Sequence, residues 1–202
     1  FGARYRLIDF TLSNLVNAGV SSVGVIIKEN YRSLMDHIGS GVYWDLDRKN
    51  GGIYLLPPFL TSGTKRYNGT LDALYGATDY IERCGAYYIV LCNADTIANI
   101  DISAAVESHI DKKADVTLAY HKGKAPRNNA DIMFLNVGRN KKIVSIDFEI
   151  EADGTNAFYA GVAVSSRDVL LKLINEGYSS GALSFTRDVL SGMTGKLRIY
   201  GF

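Results

Sequence analysis

The chain carries several short stretches whose residue types and spacing suit phosphate or sugar chemistry. Asn93-Ala94-Asp95-Thr96 follows directly on an apolar run over residues 87–92. A carboxylate there stands at the carboxyl end of a buried strand, the edge where open α/β sheets bind ligands, and a lone Asp can hold a divalent cation against phosphates. The same residues also read as a turn cap, because Asp is common in loops after strands. A second stretch, Tyr67-Asn68-Gly69-Thr70-Leu71-Asp72-Ala73, opens a helix on a glycine and a hydroxyl. Free N–H groups at a helix start bind anions. The alternative is a plain N-cap by Thr70, with Asp72 near the positive helix end. Arg4 and Arg6 precede another helix start and serve either to clamp phosphate or as solvated surface charge.

Residues 30–49 hold His37 and the only tryptophan, Trp44, among Arg and Asp side chains. They read as a surface for sugar or subunit, or as structure. His37, His109 and His121 are too scattered to indicate a metal site or a Ser-His-Asp triad. There is no Gly-x-Gly-x-x-Gly and no Walker A loop, so a phosphate loop of either kind is not expected within the sequence.

The elements that must position these residues follow from apolar periodicity. Residues 7–18, 31–38, 70–84, 102–110, 168–175 and 185–190 have helical spacing. Residues 23–27, 87–92, 115–120, 158–164 and 197–200 are short apolar or β-branched runs, the pattern of buried strands. Residues 39–66 read as a long loop with a strand at 53–56, and 121–131 as a polar loop. Residues 132–137 and 142–148 read as paired strands around Gly138-Arg139-Asn140. Helix and strand alternate through the first half. That predicts an α/β fold with a mostly parallel mixed sheet and helices on both faces, its strand C-termini on one edge. The strand-rich second half predicts an added mixed or antiparallel segment.

Composition bounds the rest. The 202 residues are 47% hydrophobic and 21% charged with a formal charge of +1. This is an ordinary globular balance with no electrostatic reason to bind nucleic acid or an anionic membrane. No apolar run approaches the roughly 20 residues of a spanning helix. Cys84 and Cys92 are the only cysteines and read as packing residues, which makes a reducing cytoplasm the expected location. The chain opens on Phe1 without an initiator Met and closes on the apolar run 197–202, so it is read as an excerpt of a longer protein.

The segment Phe1-Gly2-Ala3-Arg4-Tyr5-Arg6-Leu7-Ile8-Asp9-Phe10-Thr11-Leu12-Ser13-Asn14 resembles the Phe-Gly-Gly-Lys-Phe-Arg-Ile-Ile-Asp-Phe-x-Leu-Ser-Asn segment of the ADP-glucose pyrophosphorylases, or glucose-1-phosphate adenylyltransferases. Tyr67-x-Gly69-Thr70-x-Asp72-Ala73 is similar to their Tyr-x-Gly-Thr-Ala-Asp-Ala. Asn93-Ala94-Asp95 stands where they have Gly-Asp, and Ala160-Gly161-Val162 where they have Met-Gly-Ile-Tyr. Residues 30–41 and 44–49 resemble the GlgD-type subunit of glycogen biosynthesis more particularly.

The resemblance implies a three-layer, Rossmann-like nucleotide-diphospho-sugar transferase fold. Residues 1–202 would be part of its nucleotidyltransferase domain, with the glycine-rich loop and a C-terminal β-helix domain outside the chain. It implies ATP and glucose 1-phosphate, or related effectors, as ligands, Mg²⁺ as cofactor, ADP-glucose and pyrophosphate as products, and a tetramer with a catalytic GlgC-type partner. By residue matching, Asp95 would be a metal carboxylate. Tyr67, Gly69, Thr70 and Asp72 would lie by sugar phosphate or nucleotide, Gly161 would let the chain approach the sugar, and Ser184-Phe185 would stand where the family binds glucose with Asp-Phe. The family's Val-Glu-Lys-Pro falls near residues 147–150, so that Glu149 replaces a Lys that grips the sugar phosphate. An anion there repels a dianionic phosphate, which points to a regulatory or weakly catalytic subunit. The alternatives are a fully competent transferase, with Arg127 or Lys141-Lys142 as the missing base, and a non-catalytic scaffold or sugar-phosphate sensor.

Overall fold

The computed structural model describes residues 4–28, 31–47, 51–58, 67–124, 132–148 and 154–202. Helix α1 (Leu7–Asn17) buries Ile8, Leu12 and Leu15 on one stripe and is followed by Gly19 in the left-handed region. The carboxylate of Asp9, only 7% exposed, accepts the Arg6 amide at its own helix start and contacts His37 at 2.6 Å on α2 (Tyr31–Ile38). Arg6 in turn donates its guanidinium to the Ser33 carbonyl and hydroxyl, so polar contacts tie α2 to α1.

Strand β1 (Ser22–Ile26) pairs in parallel with β2 (Gly52–Leu56). The stretch expected as one helix over 70–84 is two, α3 (Thr70–Gly76) and α4 (Thr78–Arg83), broken at Ala77. Strand β3 (Tyr88–Cys92) is followed after a loop by α5 (Ile102–Asp111), capped by the Asp101 carboxylate on the Ala104 amide. Strand β4 (Val116–Gly123) runs three residues beyond its expected end at 120. The hairpin β5 (Phe134–Val137) and β6 (Ile143–Asp147) turns at Asn140-Lys141, one residue later than its sequence indicated. Strand β7 (Asn156–Ser166), α6 (Arg167–Ser179), a π-helical turn at Phe185–Leu190 and β8 (Ile199–Gly201) complete the chain.

The sheet is mixed. β7 lies between β3 and β4 and is antiparallel to both, while β8 is parallel to β4. β3, β4 and β8 therefore point one way around a single reversed strand. The β5–β6 hairpin joins β7 and curls back until Lys142 bridges Tyr200 of β8.

Side chains alternate across this layer as the pleat requires. Val116 and Leu118 face a core with Leu71, Leu74, Leu170 and Leu190 from the α3, α4 and α6 side. Val23 and Val25 face a second core with Leu12, Leu15 and Ile102, against which Val90 and Cys92 pack. On that face the buried His109 ring of α5 meets the Thr117 hydroxyl at 2.9 Å, and its burial lowers its pKa. Helices thus cover both faces of the sheet. No helix among the described residues is long and apolar enough to cross a membrane.

Asp115 staples β4 to β8. Its carboxylate accepts the backbone amide of Arg198 at 2.8 Å and the guanidinium at 2.8 and 3.2 Å. The Arg198 hydrogen bond, outweighing the opposing effect of burial, holds the Asp115 carboxyl below the usual carboxylate range. A depressed folded pKa contributes stability that is complete above the ordinary value near about 4 and is lost as pH falls through the lower folded value. Asp115→Asn is expected to flatten the decline of stability below about pH 4. Urea denaturation as a function of pH checks this, and an identical acid limb in the variant would rule the staple out.

Candidate active site

The C-terminal end of β3 borders a shallow recess open to solvent, with an enclosed volume of only about 10 Å³. Three elements build it. From α1, the Thr11 hydroxyl donates to the Asn93 carbonyl at 3.2 Å and the Asn14 amide to the Ala98 carbonyl at 2.6 Å. The loop after β3 contributes Asn93 and Thr96, and β7 contributes Ala160, Gly161 and Val162. The Asn93 amide donates to the Gly161 carbonyl at 2.8 Å, which extends the β3–β7 ladder into the loop.

Gly161 has φ +80, and a Cβ there would stand 3.0 Å from the Thr96 hydroxyl and 3.2 Å from the Asn93 Cβ. Both the backbone conformation and the space call for glycine. Beneath the recess, burial pushes the Cys92 thiol up to about 12, so it supplies no thiolate nucleophile at neutral pH.

Asp95 is exposed in this loop. Its carboxylate receives the neighbouring Thr96 hydroxyl at 3.3 Å and makes no ion pair among the described residues. No group of three or more His, Cys, Asp and Glu side chains suited to a metal occurs among the described residues. A single exposed carboxylate fits Mg²⁺ held mainly by substrate phosphates and water, the usual way this ion is bound, and does not make an all-protein cage.

Gly161 lines this recess, whereas Asp95 is not part of the lining and lies in the adjoining loop between Asn93 and Thr96, which do line it. Tyr67, Gly69, Thr70, Asp72, Ser184 and Phe185 belong to a second cluster, where several of their contacts are with one another. The Phe185 amide donates to the Thr70 hydroxyl at 3.0 Å and the Leu71 amide to the Leu183 carbonyl. The Asp72 carboxylate accepts the Asn68 amide, and Asp188 accepts the amides of Leu183 and Ser184. Gly69, not Thr70, is the N-cap residue of α3. A Cβ on Gly69 would lie 2.2 Å from the Leu183 carbonyl oxygen. The Ser184 hydroxyl caps the π-helical turn by accepting the Arg187 amide, and the Phe185 ring is only 5% exposed in the core. Tyr67 lies against Gly76 with its hydroxyl buried and without a hydrogen-bond partner among the described residues. Burial, and secondarily the Asp72 charge, raise its pKa.

Glu149 and Arg127 lie outside the described residues. Lys141 and Lys142 stand at the turn end of β6, whereas Phe148 follows its other end. They are therefore separated from Phe148 by roughly 20 Å of extended chain. The cation beside Phe148 is instead Arg187, whose guanidinium lies 4.6 Å from the ring centroid. Sequence reasoning missed Arg187, Thr11 and Asn14. The last two sit inside the Phe10–Asn14 motif, which was the available signal.

Residues 1–131 match the nucleotidyl transferase family model, and the chain belongs to that family. It is 35% identical over 178 residues to a glucose-1-phosphate adenylyltransferase of Desulforamulus reducens, covering 87% of this chain and 44% of that protein. A glucose-1-phosphate adenylyltransferase of Bacillus cereus is 32% identical over 194 residues, covering 94% and 51%. The glycogen biosynthesis protein GlgD of Geobacillus stearothermophilus is 44% identical over 126 residues, covering 62% and 37%. These relatives bear out the resemblance to the ADP-glucose pyrophosphorylases, and the chain spans about half or less of their length.

Gly161→Ala is expected to destabilise the fold by about 1–3 kcal/mol through its left-handed φ and the contact with Thr96. Gly69→Ala should cost at least as much, because the atom it meets is a backbone carbonyl that the Leu71 amide already uses. Thermal and urea denaturation of both variants check this, and wild-type midpoints would contradict the geometry.

Proposed function

We propose that this chain is part of a glucose-1-phosphate adenylyltransferase subunit in glycogen biosynthesis, and that on its own it is a weak or regulatory member. The reaction is attack by a phosphate oxygen of glucose 1-phosphate on the α-phosphorus of ATP. The new P–O bond forms as the bond to pyrophosphate breaks, giving ADP-glucose.

The observation that carries the reading is the recess at the end of β3, lined by Gly161 and by Asn93 and Thr96 of the loop that carries Asp95. It lies on the edge where sheets of this class take nucleotides. Asp95 would be the protein's ligand to Mg²⁺, which on binding would offset charge on the phosphates. Gly161 would lie by the sugar, as the resemblance implies, with Thr96 and Asn93 packed against its bare Cα. Glu149 in place of a sugar-phosphate Lys supports weak turnover, because a carboxylate repels the dianion it would have to hold. A GlgC-type catalytic subunit is the expected partner, in a tetramer.

The test is assay of the full-length protein alone and mixed with a catalytic subunit. Low turnover alone, with altered turnover of the mixture, is the expected outcome. Full catalytic efficiency from the isolated protein would overturn the regulatory assignment. Within any activity observed, Asp95→Asn should lower kcat/KM by about 100-fold or more, the scale of a lost electrostatic group at a reacting phosphate.

Arg187 favours a second reading, a competent enzyme. Its guanidinium packs on Phe148, next in sequence to Glu149, and would supply the positive charge that position 149 lacks. In that case Arg187→Gln raises KM for glucose 1-phosphate at least tenfold while the fold persists. An unchanged KM would eliminate Arg187 from this role.

A further inference from the structure

A cationic corner lies on β8, two strands removed from the recess. Lys112, the C-cap residue of α5, donates its ammonium to the Gly201 carbonyl at 3.2 Å and stands 5.5 Å from the Tyr200 ring centroid. The Lys141 ammonium stands 5.7 Å from the centroid of Phe202. Tyr200 and Phe202 are two residues apart on an extended chain and so share a face. The intervening Gly201 is buried toward the Tyr120 ring on the other side. Lys142 bridges Tyr200 from the β6 side. The two ammonium groups are near enough that Lys141 adds to the burial of Lys112 in lowering the Lys112 pKa.

Two features set this corner apart from ordinary surface lysine. The first is conformational. Lys141 has φ +61 and follows Asn140 at φ +54, the pattern of a two-residue hairpin turn whose second position is ordinarily glycine. Lys113, next to Lys112, has φ +47 just after the end of α5, the other place where glycine is the usual residue. Lysines thus occupy two glycine positions at one corner, at a conformational cost in each case. The turn hydrogen bonds around them, Lys113 amide to Ile110 carbonyl and Lys142 amide to Arg139 carbonyl, hold them there.

The second feature is unspent hydrogen-bonding capacity. An ammonium has three N–H donors. Lys112 uses one, Lys141 uses none, and neither makes an ion pair with a carboxylate among the described residues. Paired cations with free donors over an aromatic floor match a compact oxyanion of charge two. A second carboxylate would satisfy one lysine only, and bulk water alone would leave the mutual repulsion in place.

We propose that Lys112 and Lys141, over Tyr200 and Phe202, form a binding site for a phosphate dianion, distinct from the recess at the end of β3. The phosphate accepts the free Lys112 and Lys141 donors and relieves their repulsion, while the aromatic faces leave an apolar surface for whatever the phosphate is attached to.

The experiment is amide NMR of the protein titrated with potassium phosphate at pH 7.5, against potassium chloride at matched ionic strength. Phosphate should produce saturable shifts at the amides of Lys112, Lys141 and Gly201 that chloride does not. The apparent Kd should weaken at least tenfold in K112M and in K141G. K141G also places glycine where the turn favours it, so its thermal midpoint should be no lower than wild type, which separates lost binding from lost fold. Shifts reproduced by chloride, or a phosphate affinity unchanged in both variants, would overturn the assignment.

Discussion

Everything at the candidate site depends on β7 running against its neighbours. An antiparallel strand begins beside the point where its partner ends. Cys92, the last residue of β3, therefore pairs with Val162, and the next residue, Asn93, reaches the Gly161 carbonyl. A parallel strand in that place would have set its own C-terminal end beside the 93–96 loop. The reversal also joins the two halves of the chain. β7 pairs with β3 through Tyr88–Cys92 and with β4 through Val116–Gly123, with a register shift between Leu118 and Tyr120. That shift falls opposite the part of β7 that carries Gly161, where a left-handed residue interrupts regular pleating.

The second structural dependence is α1. Its apolar stripe fixes it on the sheet, and its polar side turns Thr11 and Asn14 toward the carbonyls of Asn93 and Ala98. Two side-chain donors thus satisfy loop carbonyls that no strand reaches, which holds the loop carrying Asp95 open toward solvent. On the other side of the sheet, the Thr70–Phe185 and Asp72–Asn68 hydrogen bonds perform the corresponding task for the starts of α3 and of the π-helical turn. Both arrangements use short polar side chains to satisfy backbone groups that regular ladders leave over.

Much of this was legible in the sequence, because burial leaves a period. Leu12 and Leu15 mark the buried stripe of α1, and the β-branched run at Val23–Val25 marks β1. The position of Asp95 in a loop after an apolar strand was legible from the residues, whereas Gly161 was singled out only by the family resemblance. What stayed hidden was direction and long-range pairing. An apolar run such as 158–164 reads the same for a strand of either sense, so the reversal of β7 had no local signature. The break between α3 and α4 was hidden too. Gly76 there accommodates Tyr67, whose hydroxyl a Cβ would approach to 3.0 Å, a contact set by packing and not by local propensity. Thr70 looked like an N-cap by residue type, yet its hydroxyl serves an amide 115 residues away.

Charge decides what the recess can do. None of Thr11, Asn14, Cys92, Asn93, Thr96, Gly161 and their apolar neighbours that line it is basic, and the charged groups of its loop are two carboxylates, Asp95 and the α5 cap Asp101. Phosphate brought to such a wall meets repulsion and gains only hydroxyl and amide dipoles in return. A phosphate would gain from a carboxylate in this loop only through a divalent cation placed between the two. Positive charge for a second phosphate has to come from outside the lining, and Arg187, 4.6 Å from the Phe148 ring centroid, is a described cation at the end of β6. On the Phe148 ring that guanidinium keeps its charge there without adding to the lining, so the recess itself stays without a cation.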